Sequence, residues 1–359
     1  MSVTSKQPTV ELSGFDPLEQ AALTKLKAKA NHAFVTGAGG FLGKAICKRL
    51  LAAGISVTGF ARGDYPELSA MGVKMIRGDI ADQSCVTAAM KGCDLVFHVA
   101  SKAGVWGSKM SYFSPNVAGA ANIILACQKL AITNLVYTST PSVTFAGKDE
   151  SGIDESAPYA DTYLNYYGES KAVAEKMVLE ANTESLKTVA LRPHLIWGPE
   201  DPHLVPRVIE RAKAGRLKLV GTKDKLVDTI YVDNAAFAHI LAALNLFESD
   251  SVSAGKAYYL SNDEPITMAD MLNKILACVD MPKVTKRVPA SLAFGVGAVL
   301  ETLYVLMNKQ EEPMMTRFVA RQLSTSHYFN ITAAKTDLGY SPVVSIDQGM
   351  VRLKEYLNQ

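Results

Sequence analysis

Short apolar runs recur along the chain, separated by stretches whose apolar residues return at helical spacing. The runs fall at residues 33–36, 56–61, 73–77, 95–100, 135–138 and 189–191. Helical spacing fills 44–53, 86–91, 112–130 and 167–181. Buried strands alternating with helical crossovers predict a parallel sheet covered on both faces. The predicted fold is therefore α/β, a doubly wound Rossmann-type domain. Beyond about residue 193 the pattern loosens. Strand-like pieces at 217–219 and 257–260 mix with helices and proline-containing loops. This predicts a smaller C-terminal substrate lobe whose late segments return to the main sheet. The expected division is an N-terminal extension 1–32, a nucleotide-binding domain 33–192, and a mainly substrate-binding lobe 193–359. Residues 15–30 have the pattern of an amphipathic helix, with no role legible in it.

The stretch 290–307 reads ASLAFGVGAVLETLYVLM. It is broken by Glu301 and by small residues, and it falls short of the ~20 uninterrupted apolar residues a membrane span needs. It is expected to be a buried or substrate-lining helix, with membrane or partner contact as the alternative. The 359 residues are 48% hydrophobic and 20% charged, with a formal net charge of +2. That balance suits a globular chain with a sizeable core. No dense Lys/Arg stripe marks a nucleic-acid surface, so no nucleic acid is expected. Five cysteines, none in a C-x-x-C pair, suit reduced thiols and a cytoplasmic location. The start lacks the layout of a secretory signal. No His/Cys/carboxylate cluster has ligand spacing, so no metal is expected.

Thr36-Gly37-Ala38-Gly39-Gly40-Phe41-Leu42-Gly43 follows the first run directly. Glycines at 37, 40 and 43 allow a tight turn, close approach of a pyrophosphate, and close packing of the next helix. The helix N-terminus offers N–H groups to the phosphates. The run 56–61 ends Gly59-Phe60-Ala61-Arg62-Gly63-Asp64. An NAD site places an acid where Ala61 stands, whereas a guanidinium such as Arg62 clasps a 2′-phosphate. NADP(H) is therefore the expected cofactor; the alternative is a solvated Arg62 with Asp64 on the ribose. Asp79, beside Ile80, is placed to accept from an adenine amino group, or to cap a turn.

Tyr167-Gly168-Glu169-Ser170-Lys171 opens a predicted helix, with phenol and ammonium on one face. A nearby ammonium is expected to lower the phenol's pKa and ease proton transfer. Fourteen tyrosines make an accidental Tyr-x-x-x-Lys match ordinary, so its position after the fifth run carries the argument. That run leads into Ser139-Thr140-Pro141-Ser142, three hydroxyls able to polarise a substrate carbonyl. Spacing alone does not choose among them. Lys102, His194 and Arg207 are candidates for a substrate carboxylate.

Taken together, the turn 36–43, His98-Val99-Ala100, Asn116-Val117-Ala118-Gly119, Ser139-Thr140, Tyr167/Lys171 and Leu191-Arg192-Pro193 resemble the extended short-chain dehydrogenases/reductases. The order and spacing match from about residue 33 to the C-terminus. Tyr328-Phe329-Asn330 and Leu338-Gly339-Tyr340 are similar to the 3β-hydroxysteroid dehydrogenase-like branch. The resemblance implies Tyr167 as proton donor, Lys171 as its partner on the ribose, Thr140 as the polarising hydroxyl, and Asn116 as a support. It implies that Val99, Ala100, Ser101 and Pro193 line the cofactor. More narrowly, Arg62-Gly63-Asp64-Tyr65-Pro66, Lys102-Ala103-Gly104-Val105-Trp106-Gly107-Ser108 and Leu195-Ile196-Trp197-Gly198-Pro199 resemble the reductases of bacterial long-chain olefin biosynthesis. That implies NADPH-dependent reduction of a lipid-like 2-alkyl-3-oxoalkanoic acid, with Lys102, Trp106, Thr140 and His194 at the substrate. It also implies a homodimer through helices 112–130 and 167–181, and an assembly with a β-lactone synthetase and a β-lactone decarboxylase. A 3β-hydroxysteroid or sterol-4-carboxylate dehydrogenase is the alternative within the class. A sugar-nucleotide epimerase, a nucleotide-sensing regulator without catalysis, and a structural subunit are the others.

Overall fold

A computed structural model describes residues 10–359. At its centre lie seven strands, each neighbouring pair parallel. They are β1 (His32–Thr36), β2 (Ser56–Ala61), β3 (Lys74–Arg77), β4 (Leu95–His98), β5 (Asn134–Thr138), then Lys187–Pro193 and Lys256–Leu260. Across the sheet the order is β3, β2, β1, β4, β5, Lys187–Pro193, Lys256–Leu260. β5 is buried at every position, as expected for a sheet covered on both faces. The strand order reverses between β1 and β4, which opens a crevice beyond their carboxyl ends.

Two predicted elements take a different form. The run 95–100 stops pairing at His98, and Val99–Ala100 pass into a loop along the crevice. The predicted helix 112–130 is three pieces: Lys109–Phe113, a π-helical turn Ser114–Ala118, and Gly119–Leu130. Pro115 lacks the N–H that a continuous α-helix requires, and a π-turn absorbs that loss.

The N-terminal helix Pro17–Lys27 starts at Asp16, whose carboxylate accepts from the Leu18 N–H. Its buried Ala22, Leu23 and Leu26 join the main core. Glu19 and Arg49, both buried, form a 2.9 Å ion pair, and Arg49 also reaches Asp233 at 3.0 Å. The helix is thus tied to Phe41–Ala52 and Val232–Leu246, outside one face of the sheet.

A second sheet, in the order Ile266–Thr267, Leu226–Val227, His327–Phe329, Glu150–Ile153, lies to the side. The two sheets exchange strands: Glu150–Ile153 leaves the first half of the chain for the small sheet, while Lys256–Leu260 joins the large one. The strand-like piece at 217–219 is realised as Leu219–Val220, paired with Arg287–Val288.

The apolar stretch forms the helix Ala290–Leu306, of which only Ala293 and Gly297 are buried. A Cβ on Gly297 would stand 2.6 Å from the Thr316 carbonyl carbon, so the helix packs directly on backbone there. Glu301 accepts from the Arg317 N–H at 2.7 Å and from its Nε at 2.6 Å, satisfying the start of helix Arg317–Gln322. Leu292, Val299, Leu303, Val305 and Leu306 remain exposed. Of the expected buried or substrate-lining helix, burial is not realised, because the body behind it covers only one narrow edge, while Leu292, Val296 and Leu300 do line a cavity. Among the described residues no helix is long and apolar enough to cross a membrane.

Candidate active site

Gly37 adopts φ 65°, and a Cβ there would sit 2.9 Å from the Ala100 Cα. The turn can therefore lie against the end of β4 only as glycine. A Cβ on Gly43 would fall 2.1 Å from the Gly37 carbonyl oxygen, so the helix Phe41–Ala52 closes on the turn without a side chain between them. Gly40 caps that helix with no side-chain hydrogen bond, leaving its first-turn N–H groups for an anion. The Thr36 hydroxyl accepts from the Ala100 N–H at 3.0 Å and stands 2.8 Å from His98 Nδ1, pinning the ends of β1 and β4 together. Burial, aided by Lys171, pushes His98 down to about 3, so its ring is neutral.

From this turn a cavity of about 1870 Å³ runs across the carboxyl ends of the strands. That is roughly twice the upper range of ordinary ligand pockets. Gly37, Gly40, Phe41, Leu42 and Gly43 line one end, followed by Arg62, Asp79 and Ile80. Val99, Ala100, Ser101, Lys102, Thr140, Tyr167, Pro193 and His194 line the middle. Thr36, Ala38 and Gly39 of the turn lie outside the wall, and the Tyr65 ring covers Gly39. Asp64, the alternative ribose ligand, also lies outside the wall and stands 3.7 Å from Arg77. Asp79 accepts from the Ala81 N–H at 2.9 Å, so it shapes the turn as well as lining the cavity.

The helix Tyr166–Glu180 begins where Asn165 accepts from the Gly168 N–H at 2.9 Å. Tyr167 faces the cavity in its first turn. Lys171, one turn on, is buried behind the wall. Its Nζ donates to the Thr138 carbonyl at 2.6 Å and stands 4.2 Å from the Tyr137 ring centre. Burial pushes Lys171 down to about 7, with Glu175 pulling the other way. Burial raises the Tyr167 phenol above its ordinary value, and the hydrogen-bonded Thr140 hydroxyl opposes that rise. The expected lowering by Lys171 is therefore not what dominates. The ammonium is itself destabilised by burial and is turned to a carbonyl.

Of the three hydroxyls, Thr140 is the one that acts on Tyr167, opposing the rise of its phenol. It also accepts from the Ser142 N–H at 3.2 Å, so it caps the turn Pro141–Val143 at the same time. Ser139 is buried with no partner for its Oγ among the described residues. Asn116 sits in the π-turn behind the wall. Its Oδ1 accepts from the Lys102 N–H at 2.7 Å and its Nδ2 donates to Ser170 Oγ at 2.9 Å. It fastens the loop after β4 to the helix that carries Tyr167.

The substrate-side expectations fare differently. Trp106 does not line the cavity. Its indole donates to the Lys309 carbonyl at 3.1 Å and its ring meets Tyr304 edge-on, so it joins its loop to the end of the apolar helix. His194 lines the wall, but its Nε2 is 2.7 Å from His327 Nδ1, and His327 Nε2 is 2.7 Å from the Gln322 carbonyl. That carbonyl can only accept, so His327 carries its proton on Nε2 and accepts from His194 with Nδ1. Burial lowers both imidazoles, and the neutral His194 has no N–H left for a carboxylate. Lys102 donates to Ser111 Oγ at 2.8 Å and stands over the Tyr112 ring. Arg207 lines the cavity and is paired with Glu312 at 3.1 Å.

Sequence reasoning gave no role to a buried pair beside the site. Arg192 holds Glu175 through Nε at 3.0 Å and Nη2 at 2.5 Å, and the Tyr159 hydroxyl donates to the same carboxylate at 2.7 Å. The i, i+4 step from Lys171 to Glu175 was the available signal. Leu195, also in the wall, takes φ 44°, a strained value for leucine that no pattern announces.

Residues 34–289 match the 3-beta hydroxysteroid dehydrogenase/isomerase family. A 2-alkyl-3-oxoalkanoate reductase of Shewanella oneidensis is 67% identical, the match covering 99% of this chain and 93% of that protein. A decarboxylating sterol-4-alpha-carboxylate 3-dehydrogenase of Mus musculus is 34% identical, covering 92% of each. The crystal structure of a UDP-glucuronic acid 4-epimerase from Bacillus cereus in complex with NAD has the same fold, with TM-score 0.69 and 20% identity over 91% of this chain and 99% of that one. The glycine turn at the β1/β4 switch point and the Tyr167 helix beside it agree with these matches, and the chain belongs to the 3-beta hydroxysteroid dehydrogenase/isomerase family, as an oxidoreductase of the extended short-chain dehydrogenase/reductase type.

Proposed function

We propose that the chain reduces the 3-oxo group of 2-alkyl-3-oxoalkanoic acids to the 3-hydroxy acids, with NADPH as cofactor. One observation carries the reading: a single cavity joins the phosphate turn, the Tyr167–Thr140 pair and an apolar limb lined by Leu292, Val296, Leu300, Met314 and Phe318. An alkyl chain suits that limb better than a sugar diphosphate does. The 67% identical relative bears the name of this activity.

Bound in this cavity, reduced nicotinamide supplies a hydride to the 3-oxo carbon. The turn at Gly37–Gly43 and the bare N-terminus of the helix Phe41–Ala52 hold the pyrophosphate. Arg62 meets the 2′-phosphate. Tyr167, whose phenol is raised and so protonated at neutral pH, donates its proton to the oxygen as the carbonyl becomes an alcohol. Thr140 accepts from the Ser142 N–H and donates to Ser142 Oγ over a long 3.3 Å bond, and turning that proton to the same oxygen would polarise it. Lys171, lowered by burial to about 7 and turned to the Thr138 carbonyl, stands one helical turn from Tyr167, and in this reading it supplies the proton that restores the phenol. In this reading the product passes to a β-lactone synthetase and then a β-lactone decarboxylase, and two copies pair through the helices Gly119–Leu130 and Tyr166–Glu180.

The test follows absorbance of reduced nicotinamide while purified protein meets a racemic 2-alkyl-3-hydroxyalkanoic acid, with NADP and NAD in parallel. The expected result is NADPH formation, with Tyr167→Phe slower by about 10²- to 10⁴-fold and unchanged in nucleotide binding. Full turnover in Tyr167→Phe would remove its proton-transfer role. The mouse relative supports a second reading, a sterol-4-carboxylate dehydrogenase. Turnover of a 3β-hydroxysteroid carboxylate with no response to the alkyl acid would favour it.

A further inference from the structure

We propose that Tyr65 is a second ligand for the cofactor's 2′-phosphate, acting with Arg62 to select NADP(H) over NAD(H); this rests on the NADP(H) reading above. The Tyr65 ring lies in a slot made by two glycines. A Cβ on Gly39 would fall 2.2 Å from Tyr65 Cζ and 2.3 Å from each Cε. Those near-equal distances mean the phenol end lies face-on over Gly39. A Cβ on Gly63 would stand 3.3 Å from Tyr65 Oη.

Gly39 is not among the residues with positive φ, so its backbone does not demand glycine. The three atoms nearest its Cβ position all belong to Tyr65, unlike Gly37 and Gly43, whose neighbours are backbone. Gly39, the one of the turn's four glycines outside the 37/40/43 spacing, serves the ring. Tyr65 is in turn held from behind, because Pro66 opens the short helix Pro66–Ala70 and Leu68 anchors it in the core.

The ring therefore spans from the phosphate turn to the residue beside Arg62, and both Tyr65 and Arg62 line this end of the cavity. Asp64, the acid that would favour a bare ribose hydroxyl, is exposed and lies outside the cavity wall, 3.7 Å from Arg77. A guanidinium satisfies two phosphate oxygens in its plane. The phenol O–H is a neutral donor suited to the remaining one.

The experiment measures binding of adenosine 2′,5′-bisphosphate and of 5′-AMP by calorimetry, and of NADPH and NADH by fluorescence, for the full chain, Tyr65→Phe and Arg62→Ala. Tyr65→Phe keeps the ring in its slot and removes only the donor. It should weaken the bisphosphate and NADPH by about tenfold and leave AMP and NADH within about twofold. Arg62→Ala should act in the same direction. Equal weakening of all four ligands in Tyr65→Phe, or bisphosphate binding within about twofold of wild type, would overturn the proposal. A wild-type chain that binds the bisphosphate no better than AMP would sink the NADP(H) reading and this inference with it. A wild-type preference that Tyr65→Phe leaves intact would sink the inference alone.

Discussion

Lys171 shows how one buried side chain balances folding against chemistry. Its folded value of about 7 lies below the ordinary 10.5, with burial as the main cause. Between those values the unfolded chain binds a proton that the folded chain does not. Stability therefore rises with pH across that window, and the full cost is borne below about pH 7. Lys171→Met removes the cost together with the proton. It should raise the thermal midpoint at about pH 6.5 by on the order of a few degrees, the gain shrinking toward about pH 10, while turnover is lost. Thermal melts across that range check this; a gain that is flat or grows with pH contradicts it. Tyr167 is displaced the other way, and its raised phenol suits a proton donor in reduction.

The helix Tyr166–Glu180 presents Tyr167, Lys171 and Glu175 on successive turns. The first meets the cavity, the second stands behind it, and the third is locked to Arg192 on the strand that ends at Pro193. That strand lines the cavity at its end, so the ion pair sets the distance between its two sides. Glu175→Gln leaves a buried guanidinium whose Nη1 already has no partner among the described residues. It should cost roughly 3–5 kcal/mol, read as a lowered urea midpoint. Turnover in native protein should fall as well, because Pro193 and Tyr167 lose their common tie. In the helix Phe41–Ala52, Gly43→Ala should abolish NADPH binding, since its Cβ would meet the Gly37 carbonyl at 2.1 Å and push the helix off the turn. Calorimetry with NADPH against wild type is the measurement.

Across the whole molecule, strands exchanged between the two sheets hold the halves around one cavity. Its apolar limb depends on the seating of the helix Ala290–Leu306, made by Gly297 against the Thr316 backbone and by Glu301 on Arg317. Leu300 lines that limb, so Leu300→Trp should fill it. KM for long-chain acids should rise by about tenfold or more while short-chain acids change little, given about 0.8 kcal/mol per methylene lost from the pocket. A uniform change across chain lengths would place the alkyl chain elsewhere.

The glycine turn, the parallel order of the main strands and the i, i+4 pair on the Tyr167 helix are legible in the amino-acid sequence alone. Each is a local signal: a spacing of glycines, a run of apolar residues, one turn of helix. The partners of His194, Arg192, Trp106 and Glu19 are not, because they lie far along the chain or in another layer. His194 is set by His327, 133 residues away, which turns an apparent donor into an acceptor's partner with no proton to spare. Trp106 leaves the cavity because Tyr304 and Lys309 hold it. Hydrophobic periodicity proposes the helices at 15–30 and 290–307, but not that the first is packed into the core and the second largely exposed. Local sequence carries the period and the turn chemistry. Which faces meet, which charges are buried, and therefore which protons are held or released, depends on packing that only the folded chain brings together.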